Sequence, residues 1–202
     1  SLKNTSGAMA WSLSGEYIFY VLRDSETLLP SKVFRHKLGE DQSKDVLVYE
    51  EKDTTFYVSV GNTRSLKFIE INISSTDSSE TLLIDTQSPE KKPSVVYPRE
   101  KDHLYSVEDG GDYFYALSNY NDAKNFKIMQ FKGSDFGDIS KWEVVLDERE
   151  SHYIEDMLTF NEHIVIQSRF DGIPLIEILN IESKKMSQIK MTDEVYDVSL
   201  AY

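Results

Sequence analysis

Apolar and polar positions alternate with a period of two along most of the chain, in short runs rich in β-branched and aromatic residues, and sustained helical spacing is nearly absent. The pattern predicts an all-β protein. In the first quarter, strands are expected at 9–12, 16–23, 32–38 and 45–49, separated by Ser14-Gly15, by DSETLLPS and by GEDQS. The same cadence returns at 56–60, 67–72, 80–85 and 94–97, then at 104–107, 113–118, 126–131 and 142–146. A fourth set is expected at 154–160, 163–169, 175–181 and 186–190, and 195–202 reads as the first strand of a fifth. The one stretch with some helical spacing, ESHYIEDMLTF, is assigned to strand or strand plus turn.

Trp11, Tyr57, Tyr105, Met157 and Val198 mark the first strands at steps of about 46, 48, 52 and 41 residues, the spacing of four-stranded propeller blades. The expectation is a partial β-propeller with antiparallel blades at roughly 8–50, 54–98, 103–147 and 153–191 and the start of another at 195–202. Three units close on an apolar pair followed by an acid, VLVYEE, TLLID and EVVLDE, which fits an outer strand running into a polar turn. The repeat is read as one of architecture, not of identity. Strands such as HIVIQS and LIEILNI are apolar enough to be buried on both faces, as stacked blades require.

Charge narrows the function. A formal net charge of −13 disfavours a sequence-independent grip on nucleic acid or an anionic lipid surface, both of which need a basic face. Cysteine is absent, so neither disulfides nor thiolate metal sites contribute, and a reducing cytoplasmic setting is expected. The longest apolar run, YIFYVL, is far shorter than the roughly 20 residues of a spanning helix, and no membrane insertion is expected.

Candidate chemistry is sparse. No Gly-x-Ser-x-Gly pentapeptide exists; the nearest stretch, GSDFG, puts Ser134 at its second position in a loop, which reads as a turn. His36, His103, His152 and His163 have no local metal-ligand spacing and are read as polar surface or blade-edge residues. Among the paired acids, Glu50-Glu51, Glu148 with Glu150, and Asp193-Glu194 read as solvated turns. Glu155-Asp156 lies in an expected inner strand, where adjacent side chains point to opposite faces, so the pair by itself does not flank one glycosidic bond. Gly110-Gly111 in EDGGDYF is a hairpin signal, and Asp109 and Asp112 lack the regular oxygens of an EF-hand. Asn4-Thr5-Ser6 and Asn72-Ile73-Ser74 match a glycosylation acceptor pattern that has consequences only in a secreted protein. No catalytic, cofactor-binding or metal-binding residue is assigned.

SETLLPSKVFRHKLG joined to DVLVYEEKDTTFYVSV, followed in order by YPREKDHLYSVE, DYFYALSNYNDAKNF and ERESHYIEDMLTFNEHIVIQSRFDGIPL, resembles the N-terminal propeller of the prolyl oligopeptidase family of serine peptidases, in its oligopeptidase B (protease II) branch. The resemblance spans nearly the whole chain. It implies a seven-bladed ring, of which about four blades are present here. It also implies a parent enzyme that cleaves short peptides after Arg or Lys with a Ser-Asp-His triad on a C-terminal α/β-hydrolase domain, without cofactor or metal, the propeller limiting access. No triad residue carries over to this sequence, so the chain alone is expected to be inactive, with substrate-binding residues unassigned. Lys32, Arg35, His36 and Lys37 are expected to pair with surrounding acids as scaffold. At VIQSRFDG the sequence departs from the resemblance: Gln167 and Ser168 stand where at least one acid is expected before Arg169, which puts a local salt bridge there in doubt.

Two other classes fit a propeller. An interaction scaffold of the WD type is disfavoured because Gly-His and Trp-Asp punctuation is missing, and a propeller glycosidase needs converging carboxylates. With the hydrolase domain absent and four blades of seven present, the end blades each lack a neighbour, and self-association of the chain is expected.

Overall fold

The structure is a computed structural model and describes residues 2–193 and 196–201. The described strands form four sheets of four strands, each an antiparallel meander in chain order. Met9–Trp11, Tyr57 and Tyr105 fall in first strands as expected, and 152–159 is strand, not helix. Of the fifth set, residues 196–201 carry no strand, and Val195 and Tyr202 lie outside the described residues, as does Glu194 of the Asp193-Glu194 pair.

The chain divides into a unit ending at Asp102 and a unit beginning at His103. In the first, sheet 1 runs β1 (Thr5–Trp11), β2 (Tyr17–Arg23), β3 (Pro30–Lys37), β4 (Val46–Glu50), and sheet 2 runs β5 (Tyr57–Asn62), β6 (Phe68–Ser74), β7 (Ser79–Asp85), β8 (Ser94–Tyr97). Alternation decides the core. Ala10, Phe19, Val21 and Val33 leave one face of sheet 1 and pack on Val58, Val60, Ile69, Ile71, Ile73, Leu82 and Ile84 of sheet 2. The opposite face of sheet 1 carries Met9, Tyr20 and Phe34 in one cross-strand row and Trp11, Ile18 and His36 in the next.

The first hairpins of these two sheets are closed by side chains of the same kind. In SLSGEY, Ser12 Oγ accepts the Tyr17 N–H at 3.1 Å and contacts Ser14 Oγ at 3.2 Å; in TRSLKF, Thr63 Oγ1 accepts the Phe68 N–H at 3.2 Å and contacts Ser65 Oγ at 3.0 Å. Each hairpin turns through a left-handed residue, Gly15 at φ 71° and Leu66 at φ 58°. A hydroxyl, a serine two residues on and an aromatic five residues on close both turns, though only the serine is the same residue in the two.

In the second unit, sheet 3 runs β9 (Tyr105–Asp109), β10 (Phe114–Ser118), β11 (Lys127–Phe131), β12 (Glu143–Leu146), and sheet 4 runs β13 (His152–Thr159), β14 (His163–Phe170), β15 (Ile173–Asn180), β16 (Met186–Gln188). Tyr115, Leu117 and Ile128 of sheet 3 pack on Ile154, Met157, Ile164, Ile166 and Leu179 of sheet 4. The β9–β10 turn is the expected hairpin, with Gly110 N–H donating to Tyr113 O at 3.0 Å and Asp109 Oδ1 accepting the Gly111 N–H at 2.9 Å. Gly110 is required by space: a Cβ there would lie 2.4 Å from the Tyr115 ring.

Candidate functional site

The charged residues gather into a few clusters set between strands. In the basic run of β3, Lys32, Arg35 and His36 meet acids as expected, whereas Lys37 meets a ring. Lys32 Nζ lies 3.2 Å from Glu50, Arg35 Nη1 donates to Pro89 O at 2.9 Å with Glu90 nearby, and Lys37 sits 6.0 Å from the Tyr17 ring centre. His36 is 8% exposed, contrary to the surface reading. Burial is tolerated because its Nδ1 lies 2.7 Å from Asp45 Oδ1, whose other oxygen accepts Tyr20 Oη–H at 2.7 Å.

A second cluster forms around Arg99. Its guanidinium lies 4.1 Å from the Phe56 ring centre, donates to Tyr49 Oη at 3.2 Å and pairs with Glu51 and, at 3.5 Å, Glu80. Glu51 is therefore no solvated turn residue: its side chain is 6% exposed. Burial alone would raise its pKa, but the Asp53 N–H, the Tyr49 hydroxyl and Arg99 outweigh burial and hold it below the usual carboxylate range. Burial, joined by the hydrogen bond to Glu51, pushes the Tyr49 hydroxyl well above its ordinary value. Tyr49 is a donor, not a base.

The third cluster belongs to the second unit. Arg149 donates both terminal nitrogens to Glu177, at 2.7 and 2.6 Å, and Ser168 Oγ donates to Glu177 Oε2 at 2.7 Å. Burial opposes ionisation of Glu177, yet these donors prevail and depress its pKa. Asn125 fixes the Arg149 loop: its Nδ2 donates to the carbonyls of Arg149 and Glu150, and its N–H donates to Glu148 at 2.8 Å. Glu148 and Glu150 thus belong to a fastened loop.

On the same sheet, Arg169 pairs with Glu155 and Gln167 Nε2 donates to Glu155 at 2.8 Å. Arg169 thus has an acid partner, though not one beside it in sequence. The acid comes from the neighbouring strand, where a register shift between Ile154 and Asp156 sets Glu155 apart from the regular pairing. Asp156 instead accepts its neighbour Met157's N–H at 2.8 Å, so the two adjacent acids do not converge.

The hydroxyls and imidazoles offer little chemistry. Ser134 sits in a short 3-10 turn and donates to Asp135 Oδ1 at 3.0 Å. Ser118 Oγ lies 2.9 Å from His103 Nε2, the distance of a nucleophile and its base, but both are buried, Ser118 completely, and Ser118 Oγ also accepts the Tyr120 N–H. No substrate reaches it. His103 is thus a second buried histidine where a surface residue was expected. His152 is half-buried against Phe170, and His163 contacts the Asn180 amide at 3.2 Å. Among the described residues, no group of three or more His, Asp or Glu is placed to hold a metal ion.

Sequence reasoning missed Asp45, Arg99, Arg149 and Glu177. Glu177 had a readable signal: in LIEILNI it shares a face with Leu175 and Leu179, and an acid on a buried face needs a buried partner.

Comparison with known proteins follows the same architecture. The profile of the prolyl oligopeptidase N-terminal beta-propeller domain matches residues 1–202. Protease 2 of Moraxella lacunata is 34% identical over 194 residues, covering 96% of this chain and 27% of the relative. Dipeptidyl aminopeptidase BI of Pseudoxanthomonas mexicana is 31% identical over 201 residues, covering 100% of this chain and 27% of the relative. The solved structure of oligopeptidase B from Leishmania major superposes with a TM-score of 0.88 at 26% identity, covering 95% of this chain and 28% of that one. The chain thus spans about a quarter of the length of the relatives it matches.

Proposed function

The chain belongs to the prolyl oligopeptidase N-terminal β-propeller family, and on that premise we propose that it is the non-catalytic propeller of a serine oligopeptidase cleaving short peptides after Arg or Lys. In this reading the propeller limits which peptides reach a triad carried by a C-terminal α/β-hydrolase domain. The observation that supports it most is the likeness to oligopeptidase B over 95% of the chain, joined to Protease 2 at 34% identity. Rigid sheets fastened by buried ion pairs suit a sieve, because a wall that excludes folded proteins must not deform to admit them.

The test is a comparison of the 202-residue chain with the full-length protein encoded by its gene. A blocked fluorogenic Arg-Arg peptide should be cleaved by the longer protein, stopped by a serine-directed reagent, and untouched by the propeller alone or by its S134A variant. Folded protein substrates should resist cleavage. Failure of the longer protein to cut after Arg or Lys rejects the specificity. The likeness to dipeptidyl aminopeptidase BI favours a second reading, release of dipeptides from a free N-terminus. Cleavage of free but not blocked peptides would select it.

A further inference from the structure

The sequence holds two Asp-Gly steps, Asp109-Gly110 and Asp171-Gly172. Such a step is chemically reactive, because a glycine puts no side chain in the way of its own peptide nitrogen closing on the aspartate Cγ. The fold treats the two differently. Asp109 is 8% exposed and its Oδ1 accepts the Gly111 N–H at 2.9 Å, while the Gly110 N–H donates to Tyr113 O at 3.0 Å. Tyr115 packs directly on Gly110: a Cβ there would lie 2.4 Å from its ring, which leaves little room for further atoms.

Asp171-Gly172 is the two-residue loop between β14 and β15, closed by the pair Phe170 and Ile173. Its φ angles, 50° and 83°, are both left-handed, as a hairpin turn that matches the strand twist requires. Both residues are exposed, and neither the Asp171 carboxylate nor the Gly172 N–H has a hydrogen-bond partner among the described residues. A Cβ on Gly172 would meet nothing within 4 Å. The closing residues are themselves 40% and 42% exposed, so the end of the hairpin frays at little cost and lets rotation about ψ of Asp171 bring nitrogen and Cγ together. The loop leaves from the ends of its strands, where the stacking of one sheet on another does not cover it. The Asp-Ser steps are held instead: Asp24 accepts the Glu26 and Thr27 N–H groups, and the Ser78 N–H after Asp77 donates to Ser75 Oγ at 3.1 Å.

We propose that Asp171 is a modification site: it converts spontaneously to isoaspartate and so becomes a substrate for a carboxyl methyltransferase that uses S-adenosylmethionine. The Gly172 nitrogen adds to Cγ of the protonated carboxyl and the C–OH bond breaks. The hydroxyl leaves as water with the amide proton, and a five-membered imide remains. Water then adds to one of the two imide carbonyls. Breaking the bond from the Gly172 nitrogen to Cγ restores aspartate; breaking its bond to the backbone carbonyl leaves the chain running through Cγ with the α-carboxylate free. That carboxylate takes the methyl group of the sulfonium as an ester, releasing S-adenosylhomocysteine. Isoaspartate adds one backbone atom to a loop whose length sets the register of β14 on β15. It also shifts Gly172 O, to which Arg169 Nη1 donates at 3.1 Å while the same guanidinium holds Glu155. The site does not rest on the peptidase reading.

Ageing the 202-residue chain for weeks in warm, mildly acidic buffer tests the proposal, read by tryptic peptide mapping with fragmentation that separates isoaspartate from aspartate. The aged chain is also treated with purified isoaspartyl methyltransferase and labelled S-adenosylmethionine. The tryptic peptide 170–184 should give a second species of unchanged mass, a trace one water lighter, and the methyl label. Isoaspartate at Asp109 should form about tenfold slower or more, because a local opening that costs even ~1.4 kcal/mol imposes that factor. In denaturant the two Asp-Gly steps should convert at similar rates, which assigns the difference to the fold. D171E, whose longer side chain would have to close a six-membered imide, should keep the parent's thermal melt and lose the label in 170–184. Equal conversion at Asp109 and Asp171 in the folded chain, conversion of Asp171 only in denaturant, or a label in 170–184 that survives in D171E would overturn the proposal.

Discussion

Asn62 bonds both backbone groups of Trp11, the last residue of β1: its Oδ1 accepts the Trp11 N–H at 2.8 Å and its Nδ2 donates to the Trp11 carbonyl at 2.8 Å. A side-chain amide here acts as a one-residue strand, satisfying the edge of sheet 1 from the first strand of sheet 2.

N62A should therefore lower stability by about 1 kcal/mol, the net worth of a partly exposed pair of hydrogen bonds. Urea denaturation would show it as a shifted midpoint at constant slope. The Trp11 amide should also exchange faster in N62A, while amides in β6 keep their protection; unchanged exchange at Trp11 contradicts the role.

Among the described residues of the second unit, Arg149 and Glu177 form the most buried charge pair, with side chains 26% and 7% exposed. R149M leaves the Glu177 carboxylate with Ser168 as its remaining donor and should cost about 3 kcal/mol. The double variant R149M/E177L removes both charges and should recover most of the loss, because the face around Glu177 is apolar. A double-mutant cycle in denaturant measures the coupling, and strict additivity would sink this account.

The same pair gives the chain an acid sensitivity. The pKa of Glu177 lies below its ordinary value of 4.5, once burial is outweighed by Arg149 and Ser168. Unfolded chains thus bind the proton more readily than folded ones as pH drops. The stabilisation is complete above about pH 4.5 and is lost as pH falls through the depressed folded value. E177Q lacks this term, so its stability deficit relative to the parent chain should shrink on acidification. A deficit that stays constant from neutrality to pH 3 argues against the assignment.

Gly110 and Gly15 separate two reasons for glycine. G110A drives a methyl into the Tyr115 ring and should cost about 1–3 kcal/mol, as overpacking does. Shrinking the ring should relieve it, so G110A/Y115L should be hardly less stable than Y115L. G15A meets open space but a φ of 71°, and should cost about 1 kcal/mol whatever its neighbours are. Thermal melts of the set distinguish sterics from backbone strain.

How much of this was legible in advance depends on the range of the interaction. Strand alternation, the Gly110-Gly111 hairpin and the four-strand cadence follow from neighbouring residues, because the pleat repeats every two positions and turns need particular backbone angles. The shared hydroxyl-x-Ser-x-x-aromatic hairpins of Ser12–Tyr17 and Thr63–Phe68 were equally local, and were in the sequence to be read. Charge partners were not. Arg99 meets Glu51 across 48 residues and Arg149 meets Glu177 across 28, and a count of acids and bases gives no hint of either. Composition made the chain acidic and its strands apolar; only the stacking of one sheet on another decided which few charges lost their water. Having lost it, each had to find an opposite charge or a donor within reach, since an ion buried without a partner costs more than the fold can spare.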